Sequence, residues 1–196
     1  MLPVLISVSS VYFFSFLLYN FRMTYEFLRA ACASPDLRVA DCKFNADEII
    51  KTVKDADAMG VRVLALPELC ITGYTCSDLF LQTTLLDSAK SALLRIANET
   101  KDCGVLFSVG LPLLVQGSLF NCAALVFSGN ILAVIPKMNI PNYAEFYEMR
   151  HFSPASSKCQ GEISLGEKFD SVPFGTDILI EDKNSSEPPS LFSSSA

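Results

Sequence analysis

The chain of 196 residues has the length of one ordinary domain, and an apolar share of 51% is enough for a hydrophobic core. Its formal net charge of −6, with no block of basic residues, excludes the electrostatic pattern of a nucleic-acid-binding protein. Seven irregularly spaced cysteines and a single histidine, His151, match neither a disulfide framework nor a zinc site. These features indicate one globular unit in a reducing compartment, the cytoplasm.

An uncharged apolar stretch opens the chain at residues 1–21 and is long enough to cross a bilayer. The first charged residue, Arg22, follows this stretch, whereas a secretory signal carries its basic region in front. Two interpretations stay open: residues 1–22 are a membrane anchor, or they are a leader outside the domain that results from an upstream start. We favour the second, because a globular pattern begins abruptly after Met23, and membrane association is therefore not expected.

Hydrophobic periodicity divides the rest of the chain into strands and helices. Asn45 and Glu48 form a capping-box pair that opens the first helix, and Ser128-Gly129-Asn130 indicates a hairpin turn. Strands and helices that alternate and then end in a hairpin predict an α/β fold with a layered sheet of mixed direction. The predicted elements, in chain order, are a strand at 27–34, a helix at 45–60, a strand at 61–66, a helix at 81–96, strands at 105–111, 122–127 and 131–135, and one further pair of strands within 169–180.

Two charged residues directly follow predicted strands. Glu68 stands after the strand at 61–66, and Lys137 stands after the strand at 131–135. Ligands of α/β sheets gather at the carboxyl ends of strands. A carboxylate and an ammonium are each costly to bury alone, so we expect them to pair in a cleft. In the alternative interpretation each residue caps a strand in solvent.

The segments around these two residues resemble motifs of a known superfamily. Residues 66–74, LPELCITGY, and residues 136–150, PKMNIPNYAEFYEMR, resemble the Glu and Lys motifs of the nitrilase superfamily. The second segment, together with DLF at 78–80 and RVADC at 38–42, resembles the glutamine-dependent NAD synthetases in particular. In that family the N-terminal carbon-nitrogen hydrolase domain is a glutaminase, and the similarity runs over residues 23–180.

The resemblance implies a nitrilase-type layered α-β-β-α sandwich, incomplete in this chain, and it implies roles for five residues. Glu68 would be the general base for a cysteine nucleophile, and Lys137 would hold the oxyanion of the tetrahedral intermediate. Glu145 would be a second carboxylate that orients Lys137 and the substrate amide. Tyr74 and Tyr143 would form an aromatic wall around bound glutamine. Ordinary packing is the alternative for Glu145 and the two tyrosines.

The nucleophilic cysteine is the part of the family pattern that this sequence lacks. The family places it roughly fifty residues beyond the lysine, after another strand, and this sequence departs from the family after Ile180. Cys70 and Cys76 are interpreted as buried structural thiols, and His151 as an ordinary residue. We therefore expect the fragment to be inactive as a glutaminase by itself.

The resemblance also implies domain limits and partners. Residues 1–22 would be a leader, residues 23–180 a partial glutaminase domain and residues 181–196 a disordered tail rich in serine, proline and acids. Glutamine would be the ligand, homo-oligomers would form, and ATP and Mg²⁺ would bind only in the synthetase domain of the full-length family. The alternatives are another nitrilase-superfamily amidase, a membrane acyltransferase anchored through residues 1–21, and a non-catalytic association module.

Overall fold

The computed structural model describes residues 7–8, 11–14, 28–143, 147–156, 159–166 and 168–180. Within these residues the chain forms one nine-stranded sheet and two long helices, with short 3₁₀ turns at Ser77–Leu81 and Glu148–Arg150. In chain order the elements are β1 (Ser7–Val8), β2 (Val11–Phe14), β3 (Ala30–Ala33), α1 (Cys42–Ala58), β4 (Val63–Ala65), α2 (Thr83–Glu99), β5 (Leu106–Val115), β6 (Ser118–Phe127), β7 (Asn130–Pro136), β8 (Gly161–Ile163) and β9 (Val172–Phe174).

The sheet is of mixed direction, as the sequence predicts. Strands β3, β4 and β5 are parallel neighbours joined through α1 and α2, whereas β5, β6 and β7 form an antiparallel meander. Strand β9 lies parallel to β7, and β8 pairs with β9. At the opposite edge β2 pairs with β3 and β1 with β2, so two short pieces of the apolar leader form edge strands of the sheet. The limits of the domain stay a prediction.

The hydrophobic core lies between the two helices and one face of the sheet. Parallel strands joined by right-handed crossovers place α1 and α2 on the same face. Both helices bury a stripe at helical spacing, which includes Ile49 and Val53 of α1 and Leu93 of α2. Alternate residues of β5, such as Phe107 and Val109, meet these stripes from the sheet. Each such side chain stabilises the fold by about 1.5–3 kcal/mol when it is fully buried.

The start of α1 differs from the prediction. Asp41 is the N-cap, and its carboxylate accepts a hydrogen bond of 3.0 Å from the backbone N–H of Phe44. Asn45 lies one turn inside the helix and is completely buried. Its side chain bonds to both backbone groups of Arg38 and to the carbonyl of Ile71. Asn45 therefore ties two loops to the helix, a long-range role that local spacing could not reveal.

Four other predicted elements have different bounds. Leu81 ends a 3₁₀ turn and is exposed, so it precedes α2 and lies outside its buried stripe. Strands β5 and β6 continue past the predicted limits to a turn at Gln116-Gly117, because both residues accept a positive φ there. The partner of β9 lies at 161–163, earlier in the chain than the predicted pair within 169–180.

The predicted hairpin turn between β6 and β7 is confirmed. Ser128 and Gly129 both have positive φ angles, 46° and 76°, as a two-residue type I′ hairpin turn requires. The predicted tail at 181–196 and Glu145 lie outside the described residues. Among the helices that the structure describes, none is long and apolar enough to cross a membrane.

Candidate active site

The sheet topology brings Glu68 and Lys137 to the same edge. Strands β4, β5 and β7 run in the same direction, so their carboxyl ends lie together. Glu68 follows β4, and Lys137 follows the last residue of β7. Strand β6 runs the opposite way and contributes Asn121 from near its start. Residues that are far apart in the chain thus meet at one edge, as ligand sites of α/β sheets commonly do.

Glu68 reaches the centre of this edge because its segment crosses over β5. Leu66 donates a backbone hydrogen bond to Ser108 and Ile71 donates one to Gly110, so the intervening residues form a turn above the strand. Leu69 has a φ of 51°, which is an unusual conformation for a branched residue. A Cβ atom on Gly110 would lie 2.3 Å from the backbone nitrogen of Leu69. Only glycine leaves room for this crossing.

Lys137 forms ion pairs with two carboxylates. Its Nζ atom lies 2.6 Å from Oε1 of Glu68. The same atom lies 3.1 and 3.0 Å from the two carboxylate oxygens of Glu148. A cleft of about 350 Å³ is lined by Glu68, Lys137 and Asn121, together with Ser108 and Gly110 of β5. The structure therefore brings the two predicted residues together over one cavity, while their catalytic roles stay a prediction.

Glu148 is a site residue that the sequence analysis missed. It is only 7% exposed and accepts a hydrogen bond of 2.6 Å from the hydroxyl of Tyr74. The sequence predicts Glu145 as the second carboxylate, and that residue lies outside the described residues. The two glutamates stand three positions apart in one segment. Their order in the chain alone could not reveal that Glu148 is the residue that reaches Lys137.

The electrostatics of the cluster favour a charged lysine and a neutral tyrosine. Burial by itself lowers the pKa of Lys137, but the hydrogen bonds from its ammonium to Glu68 and Glu148 outweigh it and raise that pKa above the usual value. Burial and the hydrogen bond to Glu148 raise the pKa of Tyr74. At neutral pH Lys137 can donate to a developing negative charge, and Tyr74 donates to Glu148.

The two tyrosines of the predicted aromatic wall occupy different surroundings. Tyr74 lines a neighbouring cavity of about 220 Å³ together with Phe80, Tyr147 and Phe152. Tyr143 is 68% exposed. Tyr74 thus supports Glu148 through its hydroxyl, and contact of either ring with glutamine stays a prediction.

Polar contacts of Asp78 with Arg150 and His151 hold the segment that carries Glu148. Arg150 donates two hydrogen bonds, of 2.9 and 3.0 Å, to the two carboxylate oxygens of Asp78. His151 Nε2 lies 3.1 Å from Oδ1 of Asp78, and the His151 ring packs edge-on against Phe80. These contacts join the 3₁₀ turn after Tyr74 to the turn that begins at Glu148. His151 therefore has structural contacts, and its non-catalytic role stays a prediction.

The cysteines near this edge are protonated structural thiols. The sulfur of Cys70 accepts from the N–H of Gly110 at 3.4 Å, and burial raises the pKa of its thiol to about 12. Cys76 donates to the carbonyl of Thr72 at 3.1 Å, and burial also raises its pKa. Such thiols do not supply a thiolate nucleophile. Within the described part of the chain, no cluster of three or more His, Cys, Asp or Glu residues could hold a metal ion.

Comparison with known proteins gives a family and a fold for this chain. The family model for carbon-nitrogen hydrolases matches residues 29–181. A curated glutamine-dependent NAD(+) synthetase from Mycobacterium bovis is 33% identical over 163 residues, which is 82% of this chain and 24% of the relative. The chain thus spans about a quarter of the length of that relative.

Two solved structures show the similarity in three dimensions. A glutamine-dependent NAD(+) synthetase from Cytophaga hutchinsonii has a TM-score of 0.72 and 29% identity, over 80% of this chain and 26% of that one. An amidase of the nitrilase superfamily from Nesterenkonia AN1 has a TM-score of 0.56 and 27% identity, over 70% of this chain and 51% of that one. Both similarities agree with the predicted nitrilase-type α/β architecture.

Proposed function

Because the chain belongs to the carbon-nitrogen hydrolase family, we propose that it is the glutaminase part of a glutamine-dependent NAD synthetase. The observation that carries this proposal is the pairing of Glu68 with Lys137 across one cleft, with 2.6 Å between Oε1 and Nζ. In this function the cleft would receive the side-chain carboxamide of glutamine. The released ammonia would then pass to a synthetase domain that amidates deamido-NAD with the use of ATP.

The chemistry follows from the charges of the cluster. Glu68 would accept the proton of a thiol nucleophile and return a proton to the departing ammonia. Lys137 would donate to the oxygen of the carboxamide as that oxygen becomes negative. Glu148 would hold the lysine from its buried side, since both of its carboxylate oxygens lie within 3.1 Å of Nζ. An ammonium with a raised pKa stays charged through such a cycle.

The nucleophile is expected to come from a segment other than those described. In the Nesterenkonia amidase an acetamide moiety is bound covalently at the active-site cysteine. The buried thiols of Cys70 and Cys76 are bonded to backbone groups in this chain. We therefore expect no thioester when this chain alone is incubated with an electrophilic glutamine analogue, as measured by intact-protein mass spectrometry.

The proposal also covers partners and location. Glutamine is the proposed substrate, and the synthetase domain of the full-length relatives is the proposed partner. ATP and Mg²⁺ would bind in that domain rather than at the Glu68–Lys137 cleft. Assembly into homo-oligomers and a place in the cytoplasm belong to the same proposal.

A chimeric enzyme tests the function directly. Residues 29–180 of this chain would replace the region that they match in the Mycobacterium bovis synthetase. NAD formation would then be measured with glutamine and, separately, with ammonium as the nitrogen source. We expect both activities, and we expect Glu68→Gln to remove only the glutamine-supported one. The reason is that free ammonium bypasses the base at the cleft.

The ammonium-supported rate serves as the folding control for the chimera. Glu99→Gln is the matched control, because this exposed glutamate lies at the end of α2 and does not line the cleft. A chimera that uses ammonium at the parental rate but does not use glutamine would contradict the proposal.

An independent amidase is the second candidate, because the Nesterenkonia amidase shares the fold at 27% identity. The two candidates differ in substrate. If the chimera released ammonia from acetamide faster than from glutamine, the cleft would belong to an amidase of broader specificity. The larger TM-score of the synthetase structure, 0.72 against 0.56, supports the first candidate.

A further inference from the structure

Asn121 is a buried side chain at the centre of the cleft that has no role in the proposed chemistry so far. It is 3% exposed and stands near the start of β6. Its Nδ2 atom makes a close contact with Oε1 of Glu68 and lies 3.4 Å from Oε2 of Glu148. Its backbone carbonyl accepts a hydrogen bond of 2.8 Å from the backbone N–H of Lys137. One residue thus contacts all three charged members of the cluster.

The chemical type of this residue suits its position. The cluster holds two carboxylates and one ammonium, so the negative charges are incompletely balanced by Lys137. An amide NH₂ has two donor protons and carries no charge at any pH of interest. Asn121 can therefore donate a hydrogen bond to one oxygen of each carboxylate. Unlike a titratable cation, its amide does not change charge with pH. An aspartate there would add repulsion, and a leucine would leave the carboxylates without these donors.

Asn121 also contacts two carboxylates that have different surroundings. Glu148 is buried and is held by Lys137 and by the hydroxyl of Tyr74. Glu68 is exposed toward the cleft, and its partners through hydrogen bonds are Asn121 and Lys137. Without Asn121 the Glu68 carboxylate could rotate away from the lysine into solvent. The amide therefore limits the orientations of the proposed base.

We propose that Asn121 is a positioning residue that holds the Glu68 carboxylate against Lys137 and keeps Glu148 on the buried side of the same ammonium. The proposal rests on the function assigned above only in naming Glu68 as the base. The arrangement itself is a property of this chain and can be measured without any turnover.

The first test measures the reactivity of Lys137 in the isolated chain. The protein is treated briefly with an N-hydroxysuccinimide ester, and acylation of Lys137 is measured by peptide mass spectrometry against the exposed Lys51. Asn121→Leu should free the Glu68 carboxylate from its contact with Lys137 and so lower the fraction of Lys137 that is charged. Because only the uncharged amine reacts with the ester, acylation of Lys137 should become faster by up to about tenfold. Asn121→Asp adds a carboxylate beside the ammonium and should slow the same reaction.

A double-mutant cycle separates positioning from a general structural role. Glu68→Gln should itself speed acylation of Lys137, and Asn121→Leu should add little to it, because both changes remove the same contact. Asn98→Leu in the exposed part of α2 is the matched control and should leave Lys137 unchanged. If Asn121→Leu and Asn121→Asp both change thermal stability but leave the acylation of Lys137 as in the parent chain, the proposal is wrong.

The chimeric enzyme supplies the catalytic test. Asn121→Asp should lower kcat for glutamine-supported NAD formation by at least about tenfold, with little change in KM for glutamine and none in the ammonium-supported rate. An unchanged kcat would overturn the positioning role even if the acylation results agreed with it. A parent chimera that uses ammonium but not glutamine contradicts the proposed function instead, and the acylation cycle then still decides the role of Asn121.

Discussion

At the scale of single residues, the ammonium of Lys137 lies between Glu68 and a buried carboxylate, Glu148. A buried glutamate without partners would be strongly destabilising, and here it accepts hydrogen bonds from Lys137 and Tyr74. The segment that carries it is held in turn by the bonds from Arg150 to Asp78. The conformation around the cleft thus depends on an ion pair at the surface.

Asp78 provides a prediction at this scale. Hydrogen bonds from Arg150, followed by His151, hold the pKa of the Asp78 carboxyl near 2, below its usual 3.8. Because the pKa is lower in the folded state, the ionised carboxylate stabilises the protein at pH values above the usual pKa of an aspartate. This stabilisation is lost as the pH falls through about 2. We expect Asp78→Asn to be less stable than the parent near neutral pH, and the difference should shrink between about pH 4 and 2.

Urea unfolding at a series of pH values measures this difference. Arg150→Gln should reproduce the effect, and the double variant should be little worse than either single one, because both remove the same contact. A stability difference that stays constant from about pH 5 down to 2 would show that the charge of Asp78 has no part in it.

The pairing of Glu68 with Lys137 could be predicted from sequence, but the other contacts of these two residues could not. Glu68 and Lys137 each follow an apolar strand, and the rule for strand ends places them at one edge. Asn121 lies inside a strand that runs the other way, and its spacing to Glu68 carries no local signal. The contact between them forms only when β6 lies between β5 and β7.

At the scale of secondary-structure elements, the crossing of residues 67–69 over β5 determines where Glu68 lies. The turn takes a positive φ at Leu69, which is an unfavourable conformation outside glycine. It is held by the hydrogen bonds from Thr72 and Gly73 to the carbonyl of Leu69. Gly110 permits this crossing because its Cβ position would also lie 2.9 Å from the carbonyl carbon of Glu68.

Gly110→Ala tests this account of the crossing. The methyl group would collide with backbone atoms, which cannot move aside as a flexible side chain can. We expect the free energy of unfolding to fall by about 1–3 kcal/mol, as measured by chemical denaturation. Gly104→Ala is the matched control, because its nearest side-chain neighbours would lie 3.6 and 3.7 Å away. Equal stability of the two variants would contradict the proposed crowding at Gly110.

At the scale of the whole molecule, the described residues form a sheet with its long helices on one face. The other face carries exposed or partly exposed residues, such as Ala65, Ala123 and Leu125. Most of the cysteines lie in the core between the helices and the sheet. Burial raises the pKa of Cys42 to about 11 and that of Cys70 to about 12.

Thiol reactivity therefore reports on the integrity of the entire fold. All seven cysteines are free, and only Cys32 and Cys159 are exposed or partly exposed. We expect two thiols to react quickly with Ellman's reagent in the native protein and the other five only on unfolding. Cys32→Ser and Cys159→Ser should each remove one fast equivalent. Three or more fast thiols in the parent chain would show that the core is more open than described.

Local sequence patterns are sufficient to predict the alternation of strands and helices, the β6–β7 turn and the two charged residues at strand ends. These features depend on local periodicity, on turn chemistry and on the exit points of strands. The tertiary structure was needed to show that Asn45 joins two loops and that Asn121 and Glu148 complete the cluster. It was also needed to show that Gly110 leaves room for residues 67–69 to cross β5. Each of these contacts joins segments far apart in the chain, so burial and geometry decide them rather than the pattern of neighbouring residues.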